Sequence, residues 1–132
     1  MVYEHDITVD VANTIDNPKL LYARLTSGII HHYEIYFPPG CANLVHVTVS
    51  RGLHQLWPTN PDGTHKGEGT TLSYREYYDI SKMPRILIIK AYNVGATYPH
   101  TITVRFAVLP RSIIAPWLLT WAEKLGLYAG GE

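Results

Sequence analysis

From Tyr3 to Val11 the chain alternates with period two. Tyr3, His5, Ile7, Val9 and Val11 share one parity, and Glu4, Asp6, Thr8 and Asp10 share the other. Successive side chains on a strand point to opposite faces, so this segment predicts a strand with one dry and one wet side. The same rhythm returns beyond the Asp16-Asn17-Pro18 turn, where Leu21, Ala23 and Leu25 alternate with Tyr22 and Arg24. Ser27-Gly28 interrupts it before a further strand from Ile29 to Phe37. Pro38, Pro39 and Gly40 force a turn, because proline fixes φ and removes a donor while glycine tolerates positive φ. Val45, Val47 and Val49 then oppose Leu44, His46, Thr48 and Ser50, and Leu53 to Trp57 continues past Gly52, where a bulge or bend is expected.

The stretch from Pro58 to Gly69, PTNPDGTHKGEG, has no apolar residue to bury and is expected to be a long loop, either functional or mobile. Leu72, Tyr74, Tyr78 and Ile80 next alternate with Ser73, Arg75, Tyr77 and Asp79. Ile86 to Ala91 is apolar on both parities, which predicts a central strand covered on both sides. His100, Ile102, Val104, Phe106 and Val108 alternate with Thr101, Thr103, Arg105 and Ala107 in the last strand. About eight short strands separated by Pro, Gly and Asn turns predict an all-β fold, a single antiparallel β-sandwich of jelly-roll type.

Past Pro110 the period changes. Trp117, Trp121 and Leu125 recur every four residues with Leu118 and Ala122 beside them, Pro116 suits a first helical turn, and Gly126 suits an end. The expected layout is therefore a sandwich domain over residues 1–110, followed by a connector, a short amphipathic helix and a tail over 111–132. Such a helix is too short to be stable alone, so its apolar stripe needs a surface in the same chain or in a neighbour.

Eleven basic residues balance eleven acidic ones, so no overall field draws in nucleic acid or an anionic membrane. A charged fraction of only 17% leaves few surface charges to keep copies apart, which favours association. The single Cys41 excludes an intramolecular disulfide, so packing has to stabilise the fold. The first residues hold early acids and no apolar core, unlike a signal peptide, and no apolar run is long enough to cross a bilayer. Synthesis in a cytoplasm is expected.

Seven histidines invite a metal reading, but no His-X-His pair places two imidazoles on one strand face, and His31 and His32 are neighbours that point apart. Cys41 follows a Pro-Pro-Gly turn with no basic neighbour to activate it. No Gly-X-Ser-X-Gly elbow and no phosphate-binding glycine loop is present. Asn60, Asp62 and Glu68 match no calcium-loop spacing and read as turn residues. No catalytic residue, cofactor or metal ligand is assigned, and the expectation is a protein that is not an enzyme.

Ten tyrosines and three tryptophans suit either protein interfaces or sugar platforms, since each joins apolar area to a polar handle. Two groups stand out as interface candidates: Ile30, His32 and Tyr36, with Glu34, on one parity of their strand, and Trp117, Leu118, Trp121 and Leu125 on the helix. Trp57 and Tyr98, near loop ends, are the candidate ligand-binding aromatics.

The run FPPGCANLVHVTVSRGLHQLWPTNPDG through YNVGATYPHTITVRFAVLP resembles the small β-sandwich and jelly-roll proteins of virus and phage particles, including capsid decoration proteins. The likeness covers about Ile29 to Pro110 and lies in strand rhythm, turn placement and the closing HTITVRF strand. It implies a structural subunit in the virion that associates with copies of itself and with a capsid protein. The alternatives are a carbohydrate-binding β-sandwich module and a cupin-like metalloprotein, although the paired histidines of the first cupin motif are missing.

Overall fold

The structure, a computed structural model, describes residues 1–110. The expected helix, with Trp117, Leu118, Trp121 and Leu125, lies outside the described residues. Within them the chain forms β1 (Val2–Val9), β2 (Lys19–Arg24), β3 (Ile29–Phe37), β4 (Val45–Arg51), β5 (His54–Trp57), β6 (Thr70–Asp79), β7 (Ile86–Asn93) and β8 (His100–Leu109). They build two antiparallel four-stranded sheets, ordered β1-β8-β3-β6 and β2-β7-β4-β5.

The pairing has a simple logic. β4 pairs with β5, β3 with β6, β2 with β7 and β1 with β8, so the chain is one long antiparallel ribbon folded at the β4–β5 hairpin. Winding the ribbon up brings β3 beside β8 and β4 beside β7, which completes the two sheets. The inner parities then meet: Ile7 and Val9, Ile35 and Phe37, and Ile102 to Val108 from the first sheet face Val45, Val47 and Val49, Leu87 and Ile89 from the second. Each large side chain buried in this layer contributes roughly 1.5–3 kcal/mol, and together they form the core.

The sequence pattern located every strand, with three corrections. Ile30 does not share a face with His32 and Tyr36. The register of β3 against both neighbours shifts between Ile30 and His32, and this bulge turns Ile30 into the core, where it is 0% exposed. Gly52, with φ +61°, is the first of two turn residues between the paired Arg51 and His54, the place where a tight hairpin needs positive φ. The irregularity expected there falls instead between Val49 and Ser50. Finally, β7 is interior to its sheet, and the described residues cover only one of its faces: Leu87, Ile89 and Ala91 are buried, while Ile86 and Ile88 stay half-buried on the outside.

The 58–69 loop is tied down at several points. His65 is buried and forms an antiparallel bridge to Val47, continuing the sheet edge where the short β5 stops, with both N–H···O bonds at 2.9 Å. The Gln55 amide donates to the carbonyls of Pro58, Asn60 and Gly63 at 2.8, 3.1 and 3.3 Å. The Glu68 carboxylate accepts from the Gly40 and Ala42 amides at 2.9 and 2.7 Å, so this acid closes the Pro-Pro-Gly turn. Among the described residues no helix is long and apolar enough to cross a membrane.

Candidate functional site

At one lateral edge of the sandwich, β6 of the first sheet and β5 of the second leave the inner layer open, and the 58–65 segment forms the far wall. The result is a cleft of about 480 Å³ lined by Tyr33, Trp57, Tyr74 and His65, with Asn60 and Thr64 on the loop side and Arg75 and Glu76 on β6. Tyr33 and Tyr74 are directly opposed partners on β3 and β6, so their rings project from the same face. Their centroids lie 5.1 Å apart. Across the sheet interface Tyr33 stacks on Trp57 at 4.4 Å with planes 17° apart, and Trp57 in turn meets Tyr78 edge-on. His65 completes the group, 5.8 Å from Tyr33 and 5.3 Å from Tyr74.

The floor is polar but uncharged. The Tyr33 hydroxyl and His65 Nε2 are hydrogen-bonded at 3.3 Å. Burial holds His65 down to a pKa of about 4, because its charged form loses hydration there. Burial also pushes the Tyr33 hydroxyl above the ordinary phenol range, with Tyr74 and Glu76 adding to the shift. Around neutral pH this pair is therefore a neutral donor–acceptor unit. On the rim Arg75 and Glu76 carry opposite signs.

Cys41 is fully buried, and burial, followed by the nearby Glu68 carboxylate, raises its pKa, which keeps the thiol protonated. Among the described residues no three of His, Cys, Asp or Glu are grouped to hold a metal ion. His46 is engaged elsewhere, stacked on Tyr92 at 5.1 Å and hydrogen-bonded through Nδ1 to the Thr64 hydroxyl at 2.7 Å.

The residues singled out from the sequence are dispersed. Ile30 is core. His32 and Tyr36 lie on the outer face of the first sheet, where polar groups join neighbouring strands. Arg105 donates to Glu4 at 2.7 Å and lies 3.6 Å from Glu34, Thr103 donates to Asp6 at 2.7 Å, and His32 meets Ser73 at 2.8 Å and Glu34 at 3.2 Å. Trp57, expected at an exposed position, is only 4% exposed and belongs to the core cluster, whereas Tyr98 is 72% exposed in the β7–β8 connection. Tyr33, Tyr74 and His65 were not singled out, because their meeting depends on the β3–β6 register and on the fold of the loop. The outer face of the second sheet has a larger apolar share: Leu20 and Tyr22 on β2 are 45% and 59% exposed, Tyr22 pairs with the half-buried Ile88 of β7, and Lys90 opposite Leu20 and Arg24 opposite Ile86 flank the strip.

No protein-family model matches the chain, and no curated protein matches it in sequence. Among solved structures it is similar to FeII HppE, with a TM-score of 0.40, 9% identity, and coverage of 80% of this chain and 43% of that one. It is similar in the same way to the hydroxypropylphosphonic acid epoxidase from S. wedmorenis in complex with fosfomycin, at a TM-score of 0.39, 9% identity and the same coverage of 80% and 43%. The chain thus spans less than half the length of either. The Yersinia pseudotuberculosis-derived mitogen YPM is similar at a TM-score of 0.43 and 12% identity, over 83% of this chain and 86% of that one. At these identities no side chain's role carries over.

Proposed function

We propose that the chain is a non-enzymatic assembly subunit that associates with copies of itself and with a capsid protein on a virus or phage particle. The nested strand order supports reading the sandwich as a jelly roll, an architecture used for capsid and lectin domains and for cupins. The observation that carries the proposal is the outer face of the β2-β7-β4-β5 sheet. Leu20 and Tyr22 stand exposed on an edge strand, and with Ile86 and Ile88 of β7 they form an apolar strip flanked on the same face by Arg24, opposite Ile86, and Lys90, opposite Leu20. Lone exposed apolar residues are ordinary, but a contiguous group on a sheet face that ends at a free edge is suited to meeting a second copy. The inner layer, by contrast, is packed mainly with Ile, Val, Leu and Phe.

Size-exclusion chromatography with light scattering on the full chain, across a dilution series from about 100 to 1 µM, tests the proposal. The expected result is a defined oligomer whose dissociation constant rises at least about tenfold in the Leu20→Ser/Tyr22→Ser double variant. A chain that stays monomeric throughout, or an oligomer indifferent to the double variant, overturns it.

A further inference from the structure

We infer that the cleft between β5 and β6 is a binding site for a neutral sugar, a pyranose ring stacked on Tyr74 with its hydroxyls directed to the loop and to the Tyr33–His65 pair. This site is independent of how subunits associate, since it lies at the β5–β6 edge while the apolar face is carried by β2 and β7.

Four observations converge on that ligand class. The first is size: about 480 Å³ lies within the roughly 300–1,000 Å³ of small-molecule sites. The second is the aromatic arrangement. Tyr33 and Trp57 are 3% and 4% exposed and form a rigid backing, whereas Tyr74 is 39% exposed and presents one free ring. The rings around it are inclined by about 30° to it, Tyr33 at 31° and His65 at 30°, so there is no parallel slot to sandwich a flat nucleobase. A single open aromatic face next to polar groups suits a ring whose faces are C–H and whose edge is hydroxyl.

The third observation is charge. Arg75 and Glu76 are the only residues with a permanent charge in the lining, one of each sign, so neither a phosphate nor a cation meets a cluster of opposite charge. The floor agrees: burial keeps both His65 and Tyr33 uncharged near neutrality, leaving donors and acceptors without net charge. The fourth is rigidity. Gln55 holds three carbonyls of the wall, Asn60 Nδ2 donates to Asp62 at 3.1 Å, and His65 is locked to Val47, so little ordering remains to oppose binding.

The test is a titration of the full-length ¹⁵N-labelled chain with the methyl pyranosides of glucose, galactose, mannose and N-acetylglucosamine, with adenosine and inorganic phosphate as rival probes. At least one pyranoside is expected to give saturable shifts at millimolar concentration, confined to the amides of Thr59, Asn60, residues 62–65 and residues 74–76. Tyr74→Ala should weaken that binding about tenfold and Tyr74→Phe by less than about threefold, because stacking and not the phenol hydroxyl holds the ring. Tyr22→Ser, remote from the cleft, should leave it unchanged. Should Tyr74→Ala fail to fold, Thr64→Val and Asn60→Ala give the same reading from the opposite wall. No saturable shift with any of the four pyranosides up to about 50 mM overturns the inference, since affinity would then fall below the weakest useful range. So does saturation by adenosine or phosphate alone, or binding that Tyr74→Ala leaves intact.

Discussion

The two outward faces of the sandwich are built on the same strand rhythm and have opposite chemistry. On the β1-β8-β3-β6 sheet the outer parity holds Glu4, Asp6, Thr101, Thr103, Arg105, His32, Glu34 and Ser73, whose side chains bond across strands to one another. On the other sheet the outer parity of the edge pair holds Leu20, Tyr22, Ile86 and Ile88 between Arg24 and Lys90, and this apolar strip has more to bury than to bond. A face whose polar groups already satisfy one another and remain open to water gains little from a partner, because docking strips hydration from charges. A half-buried apolar face gains by every Å² it covers. In the proposed assembly, association falls to the second sheet and solvent to the first.

The inner layer shared by both faces is where the largest effect lies. Phe106, 0% exposed and within ring contact of Trp57 at 6.3 Å, spans the two sheets. Phe106→Ala should cost about 3–5 kcal/mol of unfolding free energy in denaturant titration, because a cavity replaces an aromatic ring that packs both sheets together. A cost below about 1 kcal/mol would mean that the two sheets do not depend on a common core.

Acid should come next. His65 is neutral when folded, with a pKa of about 4, against about 6.5 for an unfolded imidazole. Between those values the unfolded chain binds more protons than the folded one, so stability is full above about pH 6.5, falls as the pH drops, and levels off below about 4. The loss is on the order of 3 kcal/mol. At the other extreme, the raised Tyr33 pKa means that an unfolded tyrosine ionises first, so stability also declines above about pH 10. Chemical denaturation at pH 7, 5.5 and 4.5 checks the acid arm, and His65→Phe should flatten it. If the slope persists in His65→Phe, His46, which burial and then Lys66 also hold below the usual imidazole pKa, is the group responsible.

Much of this was legible in the sequence. Alternation located most of the eight strands among the described residues, because a strand with one wet face writes its period into the chain, while β7 showed as an apolar run and β5 as the segment following Gly52. Three things were not legible, each for a physical reason. A bulge displaces one residue without disturbing the composition around it, so Ile30 read as a companion of His32 until the β3 register was seen. A run that is apolar on both parities reads as doubly covered, yet among the described residues no strand covers Ile86 and Ile88 on their outer side, and it is burial that tells the two cases apart. The cleft unites Tyr33, Tyr74 and His65 from a central strand, an edge strand and a loop, and no local spacing encodes a meeting set by long-range register. A hint was present in the loop, where a histidine, a residue with a partly apolar ring, sat in a stretch otherwise made of turn formers.

Salt separates the two faces with a smaller effect. Association through Leu20, Tyr22, Ile86 and Ile88 should be unchanged or slightly stronger as NaCl rises from about 0.05 to 0.5 M, because apolar burial is not screened. An oligomer that dissociates over that range would instead implicate charged contacts, through the Arg105 network or through Arg24 and Lys90, and would overturn association by apolar burial.

The smallest effect is expected on the polar face itself. Arg105 meets Glu4 through a short charge-assisted bond and lies further from Glu34, but both ends of the Glu4 pair are open to water. Exposed pairs of this kind contribute about 0–1 kcal/mol, since water competes for both partners and long side chains lose freedom when held. Glu4→Gln should therefore shift the denaturation midpoint only slightly at low salt, and not at all at about 0.5 M NaCl. It should also leave the oligomer untouched, in contrast to Leu20→Ser/Tyr22→Ser. If Glu4→Gln proved as disruptive to association as that double variant, the polar network would be a contact surface, and the difference between the two faces would cease to explain which one meets a partner.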